Sequence, residues 1–155
     1  MKKPLDNFIL PDNPQGLFGA KRKFDIHTGI DFYCNENDNV YSIEDSVVYN
    51  IVQFTGEAVG SPWWNDTYAI ITKGKYCFLY GELKPLVNIG DCIKEGDVIG
   101  KIIPVLKKDK GLPMNMLHLE MYELDYKGEG EIWGLGEDKP NKLLDPTNII
   151  KNLKT

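Results

Sequence analysis

Apolar residues recur along this chain in short runs broken by turn residues, and almost nowhere at the three-to-four spacing of an amphipathic helix. Runs rich in Ile, Val, Tyr, Phe and Thr fall at 24–33, 40–42, 46–54, 67–73, 76–80, 98–103 and 116–122. Turn residues bound them at 35–39, Lys73-Gly74-Lys75, 88–91 and Glu95-Gly96-Asp97. β-branched and aromatic side chains suit a pleated, half-buried surface, so these runs predict strands. Many short strands joined by Gly, Asn and Asp turns predict an all-β chain, an antiparallel sandwich or barrel-like sheet. One helix is expected at the end, with Asp145 as its N-cap, Pro146 at its first position and Thr147-Asn148-Ile149-Ile150 following. Two long loops stand apart, 55–66 with Trp63-Trp64 and 125–141 with Trp133.

At 155 residues the chain fits one domain with a real core. Its formal net charge of −5 argues against nucleic acid as a partner, because phosphate binding needs a clustered positive field. The basic runs Lys21-Arg22-Lys23 and Lys107-Lys108 are too short to supply one, and the first reads as surface charge. No stretch reaches the roughly 18–20 apolar residues of a membrane span. The first residues hold only Phe8-Ile9-Leu10 before a proline, short of the about 7–15 apolar residues of a secretory signal, so the cytosol is expected. Export by another route, a phage-like release and a cytosolic substrate all stay open. Cys34, Cys77 and Cys92 are odd in number and far apart, and read as separate, mostly buried, reduced thiols.

The sequence has two histidines, each in a patterned place. His27 precedes Asp31 by four residues in a run expected to be extended, which puts both side chains on one face. In Asn115-Met116-Leu117-His118-Leu119-Glu120-Met121, the side chains of Met116, His118 and Glu120 share a face. Two imidazoles and a carboxylate suit tetrahedral zinc with a fourth position left to water. On spacing alone, a His-x-x-x-Asp is more often two unrelated surface or hydrogen-bonded residues, and a strand histidine more often a core or edge residue, than part of a metal site.

The order of the motifs adds to this. The run Phe24-Asp25-Ile26-His27-Thr28-Gly29-Ile30-Asp31-Phe32 resembles the first zinc motif of the LytM/lysostaphin-type zinc peptidases, whose fold is the duplicated hybrid motif. The stretch from Asn88 to Gly100 is similar to that family's V-x-x-G-D-x-V-x-x-G-x-x-I-G hairpin. Leu117-His118-Leu119-Glu120 resembles the second half of H-L-H-F-E, and Asp145-Pro146 the closing D-P before a C-terminal helix. The resemblance runs from about Gly16 to Ile150, which implies an extension over 1–15, one domain over 16–150 and a tail over 151–155. It implies an antiparallel β-sheet groove, zinc held by His27, Asp31 and His118, and cleavage of peptide bonds in bacterial peptidoglycan cross-links.

The sequence departs from the family at both assisting histidines. The family's Y-x-H-L reads Tyr80-Gly81-Glu82-Leu83, and the first histidine of H-x-H is Met116. A thioether moves no proton, whereas a carboxylate beside activated water is a workable base. Three roles are open to Glu82: general base, fourth ligand, or solvated groove carboxylate. Two functions follow from the resemblance. One is an altered zinc hydrolase with Glu82 as its base. The other is an inactive groove that binds a peptidoglycan fragment, peptide or protein partner as regulator or scaffold. Trp63, Trp64 and Met116 are the candidate substrate contacts. Hairpins like Gly90–Gly100 also occur in lipoyl, biotin and phosphate carriers, but no lysine stands clearly at a hairpin tip here.

Overall fold

The computed structural model describes residues 1–107 and 115–153; Lys108 of the second basic run and the last two residues of the tail lie outside them. Eleven strands, one α-helix and two short 3-10 turns (Pro14–Gly16 and Glu57–Val59) are seen among these residues: β1 (Asp25–Ile26), β2 (Ile30–Tyr33), β3 (Asn39–Tyr41), β4 (Ser46–Thr55), β5 (Thr67–Lys73), β6 (Cys77–Pro85), β7 (Cys92–Ile93), β8 (Val98–Ile102), β9 (Met116–Tyr122), β10 (Trp133–Gly134), β11 (Leu143–Leu144) and α1 (Thr147–Lys151). The main sheet runs β11-β9-β6-β5-β4-β7, with every pair antiparallel; β2 joins β9, and β8 joins both β6 and β3. It is open, with no pairing between β11 and β7, so the barrel-like alternative is not realised.

The central strands are apolar on both faces, and their period-2 alternation feeds two cores. Ile70, Phe78, Tyr80 and Leu83 join Ile30, Phe32, Leu117 and Leu119 in the larger. Ala69, Ile71, Cys77 and Leu79 meet Tyr122 and Tyr126 in the smaller, on the opposite face. Residues 1–15, expected as an extension, lie on the larger core: Leu5 is buried, Phe8 meets Phe32 at 4.4 Å between ring centroids, and Lys2 N–H donates to Ile43 O at 2.9 Å. All three cysteines are free; Cys77 is buried and Cys34 half-buried, but Cys92 on the short edge strand β7 is exposed rather than buried as expected.

The run expected as one strand over 24–33 is two, β1 and β2, broken at residues 27–29. The physical reason is Gly29, which passes so close to β9 that a Cβ there would sit 2.3 Å from Leu119 O. Strand β6 runs on to Pro85 rather than ending at Tyr80, and the two-residue strands β7, β10 and β11 are too short to leave an alternating pattern. The terminal helix starts one residue later than expected, with Pro146 at the N-cap and Thr147 first; Asp145 Oδ1 still accepts from Thr147 N–H at 2.9 Å, and Pro146 O accepts from Ile150 N–H at 2.9 Å.

Candidate metal centre

Strand pairing builds the centre. Asp31 on β2 lies directly opposite His118 on β9, and cross-strand partners share a face. His27, just past β1, reaches the same point from the break. The separations are 3.2 Å from His27 Nε2 to Asp31 Oδ1, 3.2 Å from His27 Nε2 to His118 Nδ1, and 2.8 Å from His118 Nδ1 to Asp31 Oδ1. All three residues are buried. Ligands about 2.0–2.1 Å from a tetrahedral zinc stand about 3.3 Å from one another, so the three atoms outline one face of such a tetrahedron.

The remaining donors and acceptors decide which atoms are offered. His27 Nδ1 faces Leu17 O at 3.0 Å; a carbonyl only accepts, so Nδ1 carries the hydrogen and Nε2 is the free lone pair. His118 Nε2 donates to Glu120 Oε2 at 2.7 Å, which leaves Nδ1 to face the centre. Glu120 is itself held by Thr28 Oγ1 at 2.8 Å and by the Tyr122 hydroxyl. A carboxylate behind a ligating imidazole is a recurrent outer support of zinc sites. Arg22 is not the free surface charge expected of it: its Nη2 donates to Asp31 Oδ2 at 2.9 Å and to Gln15 O at 2.7 Å.

Burial alone would raise the Asp31 pKa, but the hydrogen bond and charge from His118 hold it well below the usual carboxylate range. Burial alone would lower that of His118, but hydrogen bonds to Asp31 and Glu120 raise it well above the ordinary imidazole value. Glu120 is lowered despite burial, chiefly by its bond from His118.

Glu82 reaches the site by a different device. Along β6, Tyr80 pairs with Ile70 and Leu83 with Tyr68, so three steps of β6 oppose two of β5. The extra residue is a bulge, and Glu82 within it has φ of 69°, the left-handed region a side chain rarely adopts. Plain alternation would put Glu82 on the core face beside Tyr80. The bulge instead gives the core Tyr80 and Leu83 and leaves Glu82 lining the groove. Its Oε2 is buried with no hydrogen-bond partner among the described residues. Burial, and then the Asp31 charge, push its pKa up to about 8. Glu82 is not part of the three-atom cluster.

The groove above these groups has a volume of about 470 Å³ and is lined by Arg22, Glu82, Trp64, Ile132 and Trp133 besides the centre itself. Of the candidate substrate contacts, Trp64 lines it. Trp63 does not: it meets Trp64 edge-on and is 63% exposed. Met116, paired with Tyr33 at the far end of β9, also stands outside the lining. The carbonyls of Gln15 and Leu17 leave no mark in a sequence, since every residue type has one. Thr28 and Tyr122 did leave a trace, because they flank motif residues.

The sequence matches the model of peptidase family M23 over residues 25–130. No curated protein sequence matches the chain closely enough to count as a relative. Among solved structures, CbpA from L. salivarius REN is similar, with a TM-score of 0.60 at 20% identity over 92% of this chain and 88% of that one. The catalytic domain of lysostaphin, an antimicrobial peptidase from Staphylococcus simulans, gives 0.54 at 19% identity over 94% and 91%. A zinc-containing peptidase from Vibrio cholerae gives 0.53 at 22% identity, covering 89% of this chain and 40% of that one. At these identities the structures show a common fold. The family is carried by the sequence match across the whole metal-centre region: this chain belongs to peptidase family M23.

Proposed function

We propose that the chain is an altered zinc peptidase acting on peptide bonds of the peptidoglycan type, with Glu82 as its single acid–base group. The observation that carries this reading is the convergence of His27 Nε2, Asp31 Oδ1 and His118 Nδ1 at tetrahedral spacing, beside a buried carboxyl oxygen without a partner among the described residues. The family match supports it, as does the likeness in fold to structures described as an antimicrobial peptidase and a zinc-containing peptidase.

His27, Asp31 and His118 would hold the ion, which would supply a Lewis acid for the scissile carbonyl and an activated water. Glu82 takes a proton from the attacking water and returns it to the amine that leaves, so the carboxylate ends each turnover as it began. Leu17 O and Glu120 keep each imidazole in the tautomer that faces the centre. With both family histidines replaced, turnover is slow, because each missing stabilising donor costs ~10²–10³ in rate.

The test begins with zinc stoichiometry of protein purified without chelator, beside His118→Ala. One zinc per chain, lost in the variant, is expected; no zinc even after reconstitution rejects the reading. Cleavage of cross-linked peptides should then vanish in Glu82→Gln while zinc stays bound. Unchanged turnover in that variant rejects Glu82 as the base.

Met116 favours a second reading. A thioether stands where the family has an assisting histidine, and it lies outside the groove lining. On this reading the groove retains zinc and binds a peptidoglycan fragment, peptide or protein partner without cutting it. Zinc-loaded protein that binds cross-linked peptides and leaves them intact is the result expected of it.

A further inference from the structure

Asp31 uses its two oxygens differently. Oδ1 faces both imidazoles, 3.2 Å from His27 Nε2 and 2.8 Å from His118 Nδ1. Oδ2 is taken by Arg22 Nη2 at 2.9 Å, and the same nitrogen donates to Gln15 O at 2.7 Å. A guanidinium NH₂ has two hydrogens, so both of its donors are spent and its place is set at two points. Both points are well anchored. Gln15 lies in a single helical turn, Pro14–Gly16, with Asn13 Oδ1 accepting from Gln15 N–H at 3.1 Å. Arg22 starts a tight reversal in which its own N–H donates to Asp25 O at 2.8 Å, just before β1. Asp31 is buried, with a side chain 8% exposed, so the pairing is sheltered on the carboxylate side.

We infer that Arg22 is a positioning residue that makes Asp31 a one-oxygen ligand and so keeps a coordination position of the metal centre open. An aspartate free at both oxygens can bind an ion through one or through both. Closing on the second oxygen would take the place that a catalytic zinc site leaves to water or substrate. By holding Oδ2, Arg22 makes the second mode cost its own ion pair. It also draws charge away from the carboxylate, which leaves a bound ion the stronger Lewis acid. The family's zinc set names three ligands, and nothing in their spacing says how many oxygens the aspartate gives; Arg22 decides that here.

The inference rests on the zinc-site reading proposed above, and its test does not pass through peptide cleavage. Arg22→Met and Arg22→Lys are compared with the unaltered protein for Zn²⁺ affinity by chelator competition. Each is then loaded with Co²⁺ and its visible absorption recorded, since four-coordinate Co²⁺ absorbs far more strongly than five- or six-coordinate Co²⁺. Arg22→Met gives Asp31 back its full charge and second oxygen, so it should bind Zn²⁺ more tightly, and should lose visible intensity as Asp31 closes on the ion. Arg22→Lys keeps the charge but lacks the planar fork, and should fall between the two. Affinity and spectrum unchanged in Arg22→Met overturn the inference. So does a lowered melting temperature of the metal-free variants with no change of spectrum, which marks a purely structural ion pair. Failure of the unaltered protein to bind either ion would instead reject the zinc-site reading itself.

Discussion

His118 lies between two carboxylates, Asp31 on Nδ1 and Glu120 on Nε2, and that position sets how the centre responds to pH. With its pKa raised well above the ordinary value of 6.5, the metal-free protein holds it as an imidazolium near neutrality. Zinc needs the Nδ1 lone pair, so loading should release one proton per ion. Apparent affinity should therefore rise about tenfold per pH unit up to the raised pKa and flatten beyond it. Calorimetry in buffers of different ionisation enthalpy measures that proton; none released would mean that His118 is already neutral. The same shift stabilises the metal-free fold fully below about pH 6.5, and that contribution is lost as pH rises through the folded value. Asp31, shifted the other way, stabilises above its ordinary value of 3.8 and loses that contribution as pH falls toward its lowered one.

At the scale of elements, two irregularities carry the site. The bulge in β6 holds Glu82 in a left-handed conformation that costs about 1–3 kcal/mol, and leaves Oε2 buried with no partner among the described residues. Glycine adopts that backbone freely. Glu82→Gly should therefore make the metal-free protein about 1–2 kcal/mol more stable while abolishing turnover, stability gained where function is given up. Urea denaturation beside the cleavage assay checks both halves. The second irregularity is the break between β1 and β2. Gly29→Ala would drive a Cβ to 2.3 Å from Leu119 O and 3.0 Å from its carbonyl carbon, both backbone atoms of β9. About 1–3 kcal/mol should be lost. Because β2 and β9 carry Asp31 and His118 opposite one another, zinc affinity should fall with it.

Across the whole molecule, the centre ties the β1–β2 break to β9, and through β9 to the sheet's middle strands. An ion bound only by the folded chain at a thousand times its Kd adds about 4 kcal/mol. For a domain of this size each kcal/mol moves Tm by about 2–4 °C, so zinc should raise Tm by roughly 10 °C over protein held in chelator. His118→Ala should abolish that rise. The N-terminal residues belong to the same unit: Leu5 and Phe8 cover the larger core, while Gln15 and Leu17 lend carbonyls to the centre's outer contacts.

Strand after strand was legible from residue type and alternation alone. Strands β5 and β9 begin and end at the residues expected, 67–73 and 116–122, because alternate side chains there face two different cores. The motifs of His27, Asp31 and His118 pointed to side chains that the structure brings within 3.2 Å of one another. Period-2 patterning is a local property, written one residue at a time, so a sequence carries it directly. Close approach between distant strands is not local. The break at Gly29 exists because β9 lies against it, and the bulge at Glu82 because β5 pairs out of step with β6. Arg22 reads as surface charge until the fold sets Asp31 and Gln15 before it. The sequence alone determined the all-β class and named three residues that the fold brings together. The tertiary structure decided which atoms those residues present and turned Glu82 into the groove, because register and carbonyl contacts arise only when the strands pair.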